Sequence, residues 1–222
     1  MENQYDIDLE KYGLQKFKHD LKARDMIPSR VGLKEELDSI FKILENNSIR
    51  NLKELIDRLR TKPKIELFSS ETCLPIEYLT ILKREAKSYL SNPIRLDKFP
   101  GIQANYVGRL ETEGIRNSRQ LFNEAKRKDE RERLSQKTSI PIEILVELVC
   151  LSDLARAYGV GPVFARMIFD VGIQSIEELV QYTAEEIIRI YEEKEGKRAD
   201  FGVHEIQFSL DLAKELDFAI EI

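Results

Sequence analysis

The stretch Thr72-Cys73-Leu74-Pro75-Ile76-Glu77 returns as Thr138-Ser139-Ile140-Pro141-Ile142-Glu143, 66 residues further on. At the same offset Ser48-Ile49-Arg50-Asn51 returns as Gly114-Ile115-Arg116-Asn117, and Leu79 and Leu82 return as Leu145 and Leu148. A second offset, 58, joins Gly101-Ile102 to Gly159-Val160, Leu110 to Ile168, Gly114-Ile115 to Gly172-Ile173 and Leu121 to Leu179. A fixed period of this length marks supersecondary units that bury their apolar faces against one another. The chain therefore predicts three divergent copies, near 33–93, 99–157 and 157–219, around a shared core. The expected divisions are an N-terminal helical extension (1–32), a first copy with a degraded turn (33–98), a second (99–156) and a third with an intact turn (157–222).

Within the copies the apolar spacing is helical. Leu9, Tyr12, Leu14, Phe17 and Leu21 predict a helix over 8–24 with Gly13 as its weak point, broken at Ile27-Pro28-Ser29. Leu37, Ile40, Phe41 and Leu44 predict one over 34–46, and 52–59 and 65–70 predict two short ones. Pro75 opens a helix to Tyr89, with Ile76, Leu79, Leu82 and Ala86 inward, and Pro141 opens its counterpart with Leu145 and Leu148 inward. Ser175 with Glu178, and Thr183 with Glu186, read as capping boxes, and Gly196 as a helix stop. The last helix is expected over 203–218, with Ile206, Leu210, Ala213 and Leu216 inward. No segment alternates as a strand does, so the expected fold is all-α: tandem divergent helix-hairpin-helix-type repeats.

Leu151 to Ile173 is where chemistry is most legible. An apolar run ends at Gly159-Val160-Gly161, Pro162 follows at a first helical position, and a second run places Val163, Phe164, Ala165, Ile168 and Phe169 inward before Gly172 stops it. At such a turn the first helical N–H groups have no earlier carbonyls to meet. With the helix dipole they suit one phosphate oxygen, and the contact carries no base sequence. Arg156 and Arg166 flank the turn as candidate cations. The other reading is that the turn only joins two packed helices. The middle turn, Phe99 to Gln103, keeps Gly101, replaces the second glycine by Gln103 and has Arg95, Lys98, Arg109, Arg116 and Arg119 around it. The first, around Val31-Gly32-Leu33, is more degraded. The candidate nucleic-acid contacts are Gly159, Val160, Gly161, Val163, Arg156, Arg166, Gly101, Gln103 and Arg109.

Charge and residue types narrow the alternatives. The net charge is -5, and the tail from 170 onward holds 5 Lys+Arg against 14 Asp+Glu, an unusual balance for a dedicated nucleic-acid binder. Lys126-Arg127-Lys128 and Arg131-Glu132-Arg133 read as a solvated helix face, and Tyr182 and Tyr191 as core edge. No run approaches the roughly 18 apolar residues of a membrane span, and the first eight residues lack a signal-peptide apolar region. Cys73 and Cys150 stand alone, which predicts two buried thiols in a reducing, cytoplasmic setting. His19 and His204 are outside any metal spacing, and no P-loop, nucleophile elbow or dinucleotide fingerprint is present. The expectation is a non-enzyme without cofactor, metal or membrane partner.

Gly159-Val160-Gly161-Pro162-Val163-Phe164-Ala165-Arg166 with Gly172-Ile173 resembles the helix-hairpin-helix motif. The wider chain, with Phe99-Pro100-Gly101-Ile102 and Leu151-Ser152-Asp153-Leu154-Ala155-Arg156, resembles an uncharacterised family of helix-hairpin-helix repeat proteins, a domain of unknown function, over roughly 33–219. The resemblance implies sequence-independent contact with DNA backbone through Gly159, Val160, Gly161 and the following amides. The functional expectation is thus a protein contacting DNA or RNA backbone, the alternative being a helical scaffold for a protein partner.

Overall fold

The computed structural model describes residues 4–24, 26 and 28–222. Its described residues form helices and turns, with two isolated β-bridges and no strand. Contacts divide the chain into two compact units: residues 7–90, and residues 91–222 together with the segment ending at Asp6.

The 7–90 unit holds α1 (Leu14–Ala23), a 3-10 segment (Pro28–Lys34), α2 (Leu37–Asn46), α3 (Leu52–Arg58), α4 (Lys62–Thr72) and α5 (Ile76–Lys87). The helix expected from residue 8 begins only after Gly13, which is extended (φ -65°, ψ 147°). The reason is a local bridge: Leu14 N–H donates to Arg50 O at 2.8 Å and Leu52 N–H to Tyr12 O at 3.0 Å. The expected break at 27 falls on a residue outside those described, and the 3-10 segment follows it. Helix α2 starts at 37 rather than 34, because Glu36 is left-handed (φ 50°). Phe17, Phe41, Leu44, Leu52, Leu55, Phe68, Leu79 and Leu82 are fully buried. Full burial of such a side chain contributes about 1.5–3 kcal/mol.

The 91–222 unit holds a short 3-10 turn (Leu96–Lys98), α6 (Ala104–Thr112), α7 (Ser118–Ala125), α8 (Lys128–Thr138), α9 (Ile142–Leu154), α10 (Pro162–Asp170), α11 (Ile176–Leu179), α12 (Ala184–Glu195) and α13 (Val203–Ala213). Helix α9 is its axis: Leu148 through Leu154 are all buried, and α7, α8, α10 and α11 pack on it. A stretch apolar on every face belongs inside. Helix α13 ends at 213, short of the expected 218, and Ile206 is only half-buried while Leu210, Ala213 and Leu216 are buried.

One junction geometry occurs at α2/α3, α6/α7 and α10/α11. The residue closing the first helix is left-handed in each: Ser48 (φ 62°), Gly114 (φ 82°) and Gly172 (φ 97°). The next residue donates its amide five residues back, Ile49 to Leu44, Ile115 to Leu110 and Ile173 to Ile168, at 3.1, 2.9 and 3.3 Å. Asn51, Asn117 and Ser175 then cap the second helix, accepting from the amides of Glu54, Gln120 and Glu178. The capping box expected at Ser175 and Glu178 is altered. The Glu178 carboxylate accepts from Gln174 N–H at 2.7 Å, one residue before the cap, as Glu54 does from Arg50 and Gln120 from Arg116. Thr183 and Glu186 form the full box, and Gly196 is the left-handed stop of α12.

The helices after Pro75 and Pro141 also correspond. Leu79 and Leu145 are fully buried, as are Leu82, Leu148 and Ala86, whereas Ile76, expected inward, is 44 % exposed at the start of α5. Each helix is preceded by a left-handed residue, Cys73 (φ 61°) and Ser139 (φ 54°). Ser69 Oγ and Ser135 Oγ donate to Leu74 O and Ile140 O, both at 2.6 Å.

Candidate nucleic-acid interface

The intact turn leaves α9 at Leu154, and Gly159 takes the left-handed conformation (φ 78°) that glycine alone adopts freely. Val160 donates to Ala157 O at 3.1 Å and is itself buried, so it seats the turn and presents no side chain outward. Gly161 is the N-cap of α10 at φ -85°, ψ 176°, and Pro162 is the first helical residue. Of the two glycines only Gly159 has a positive φ, because Gly161 is extended as a cap must be. The bonds of α10 begin with Ala165 N–H to Gly161 O at 2.9 Å, so the amides of the first turn are left facing outward. A Cβ built on either Gly159 or Gly161 meets nothing within 4 Å.

Helix α10 buries Ala165, Met167 and Ile168. Val163, expected inward, is 66 % exposed at the tip of the turn. It shares a face with Met167, which is buried one turn further on, so its exposure follows from its place at the helix entrance and not from the side it lies on. Phe164 is half-buried, its ring 6.1 Å from Tyr191 and 5.7 Å from Phe201. Tyr182 is an exposed ring.

The middle turn repeats this backbone. Gly101 has φ 83°, Gln103 caps α6 at φ -73°, ψ 134°, and Gln103 is exposed. Its surroundings differ. A Cβ on Gly101 would lie 3.6 Å from the Arg166 guanidinium, and Arg166 Nε donates to Pro100 O at 2.9 Å. Arg166 also pairs with Glu147 and reaches Asp170 at 3.4 Å, its side chain 15 % exposed. It ties α10 to the middle turn and to α9, and is not a free cation beside Gly161. Arg109, the candidate on α6, donates to Ser139 O at 2.7 Å, closing the end of α8.

Arg156 departs furthest from expectation. It is 2 % exposed. Its guanidinium pairs with Asp153, donates from Nε to Tyr5 O at 3.1 Å and from Nη2 to Gln4 O and Asp217 O at 2.8 and 2.9 Å, and lies 4.5 Å from the Phe122 ring centre. Asp153 in turn accepts Ile176 N–H at 2.7 Å. At the matching place the α7 entrance uses a backbone carbonyl, Ser118 N–H to Ile94 O at 2.8 Å, and α3 does likewise, Leu52 N–H to Tyr12 O at 3.0 Å. Asp153 thus stands in for a missing bridge, and Arg156 neutralises it in the interior. The signal was present in Leu148–Ala157: charges three apart in an all-apolar run must pair.

Two smaller expectations change. Arg131, read as solvated, is 3 % exposed and donates to Ala125 O and Lys126 O at 3.1 and 2.8 Å and to Glu221 O, anchoring the C-terminal segment. Cys73, expected buried, is exposed, since its left-handed place at the end of α4 turns it out. Cys150 is buried, and burial pushes its thiol up to about 12, so it stays a neutral small hydrophobe. Among the described residues no three His, Cys, Asp or Glu are placed to hold a metal, and no helix is long and apolar enough to cross a membrane.

The geometry is that of an all-α protein carrying glycine turns at helix entrances. A family model described as a domain of unknown function (DUF4332) matches residues 100–213, half of the chain, and the chain belongs to that family. The match lies within the 91–222 unit and takes in the whole intact turn and all of the middle turn but Phe99. No curated protein matches. No solved structure matches either.

Proposed function

We propose that the three junctions belong to three divergent copies of one helix-hairpin-helix-type unit, and that the copy with the intact turn contacts nucleic-acid backbone without sequence specificity. The repeated left-handed closures, the five-residue back-bonds and the matched caps support the first part. The observation that carries the second is Gly161. Its φ of -85° suits any residue, and a Cβ there meets open space, so its missing side chain serves nothing inside the fold. A bare backbone beside outward amides suits close approach by a phosphate. Arg156 and Arg166 drop out of the contact set, which leaves Gly159, Gly161 and the first amides of α10, with Gln103 at the weaker middle site.

A second reading, a protein-docking scaffold, is favoured by Val163, whose exposed apolar side chain stands where a nucleic-acid site would place a cation. The test is binding of the full chain to duplex DNA, single-stranded DNA and RNA across salt concentrations. The backbone reading expects a negative slope of log affinity on log salt and a loss of about tenfold in Gly161→Val at every sequence. Absence of salt-dependent binding at low ionic strength, or unchanged binding by folded Gly161→Val, replaces it with the scaffold reading.

A further inference from the structure

The buried arginine points to a different site. Residues 4–6 belong to the 91–222 unit although residues 7–90 separate them from it in sequence. Nearly every group of this short arm is received by a side chain. Tyr5 is 0 % exposed, its ring edge-on to Phe122 with centres 5.4 Å apart and planes at 78°. Its hydroxyl meets Ser118 Oγ at 2.6 Å, and burial pushes its pKa up to about 12, so the hydroxyl stays protonated and neutral. Arg119 lies over the Tyr5 ring at 5.0 Å and donates to Asp6 Oδ1 at 2.8 Å. The same carboxylate oxygen accepts Ser91 N–H at 3.0 Å. Arg156 takes the carbonyls of Gln4 and Tyr5.

These contacts read as a receptor holding a ligand. An aromatic slot with a polar end takes tyrosine, one arginine takes the following carboxylate, and another takes two backbone carbonyls of a segment that bends at Tyr5 and Asp6. Aromatic and arginine anchors of this kind dominate the affinity of peptide interfaces. None of the contacts requires the arm to be continuous with residues 91–222. The chain between the arm and residue 91 is the compact 7–90 unit, and toward these contacts it serves to keep the arm at a raised local concentration.

We propose that Ser118, Arg119, Phe122 and Arg156 form a docking groove for a short tyrosine–aspartate segment, occupied by the chain's own residues 4–6. The groove is independent of the turn at Gly161 and stands whether or not nucleic acid binds there. With its arm released, it accepts a segment of the same chemistry supplied from outside.

The test uses the full chain carrying Tyr5→Ala, which empties the aromatic slot and leaves the groove intact, with a fluorescent peptide Asn-Gln-Tyr-Asp-Ile-Asp as probe. Fluorescence anisotropy should show saturable binding at least about tenfold tighter than to the wild-type chain, whose arm competes. The peptide with alanine for tyrosine should lose that binding, as should the Tyr5→Ala chain with Arg119→Ala added. Should Tyr5→Ala lose helicity, the readout is its recovery by circular dichroism on adding peptide, and recovery by the tyrosine peptide alone supports the groove. Equal binding by wild type and Tyr5→Ala, equal binding of both peptides, or an unfolded variant that no peptide restores overturns the proposal.

Discussion

The turns at 99–103 and 159–162 share a backbone and differ in what stands over them. Gly101 and Gly159 have φ of 83° and 78°, and each turn leads into a nine-residue helix closed by a left-handed glycine. Over Gly101 lies the Arg166 guanidinium, reaching from α10 to Pro100 O. Over Gly159 and Gly161 lies open space. The same local code therefore serves packing in one place and leaves a surface in the other. Backbone conformation is written within a few residues, whereas availability to a ligand is decided by a side chain 60 residues away.

The largest effect that sharpens this contrast is at Arg156, which flanks the open turn in sequence yet is buried. Arg156→Leu should destabilise the chain by about 3–5 kcal/mol in urea unfolding, since it strands the Asp153 carboxylate in the interior. A change of under about 1 kcal/mol would mean that the pair is not the anchor of the α11 entrance.

Next come the two left-handed glycines. Gly101→Ala and Gly159→Ala should each cost about 1–2 kcal/mol, because both force a Cβ into the left-handed region. Equal costs support one shared turn; a costless change at either position separates them.

Arg166→Ala follows, at about 1 kcal/mol, for its partly buried bond to Pro100 O and its pairing with Glu147. It should leave the salt slope of any nucleic-acid binding unchanged. A slope lowered by about one unit would return Arg166 to the contact surface.

The smallest effect on stability is at Gly161. Gly161→Val fits the extended φ and its Cβ meets nothing within 4 Å, so the expected cost is the poorer capping by valine, about 1 kcal/mol or less. This makes it the clean probe of contact: binding can be compared in a folded chain, by melting and titration side by side.

Much of the fold was legible because helix ends are local. Gly114, Gly172 and Gly196 stop helices where glycine is the natural left-handed residue, and Asn51, Asn117, Ser175 and Thr183 cap the next ones. Ser48, Cys73 and Ser139 do the same work without the glycine signal, so the helices ending at 72 and 138 were not delimited by the sequence. The candidate site was legible as a turn and not as a surface. Arg156 beside Gly159 reads as a flanking cation until the all-apolar run before it is weighed. Val163 reads as core by its spacing to buried Met167, and its exposure comes from standing at the helix entrance, which spacing does not show. The arm at 4–6 could not be placed, since nothing near Tyr5 in sequence names Phe122 or Arg156 as its partners.

The central claim is that the intact turn is an open contact surface while its middle counterpart is not. Amide chemical shifts recorded while short duplex DNA is titrated into the chain at low salt test it directly. The account predicts shifts concentrated at Gly161, Val163 and Phe164, small ones at Gln103 and Ala104, and their disappearance as salt rises. Shifts that are absent at the intact turn, or that centre on the middle turn, would contradict it.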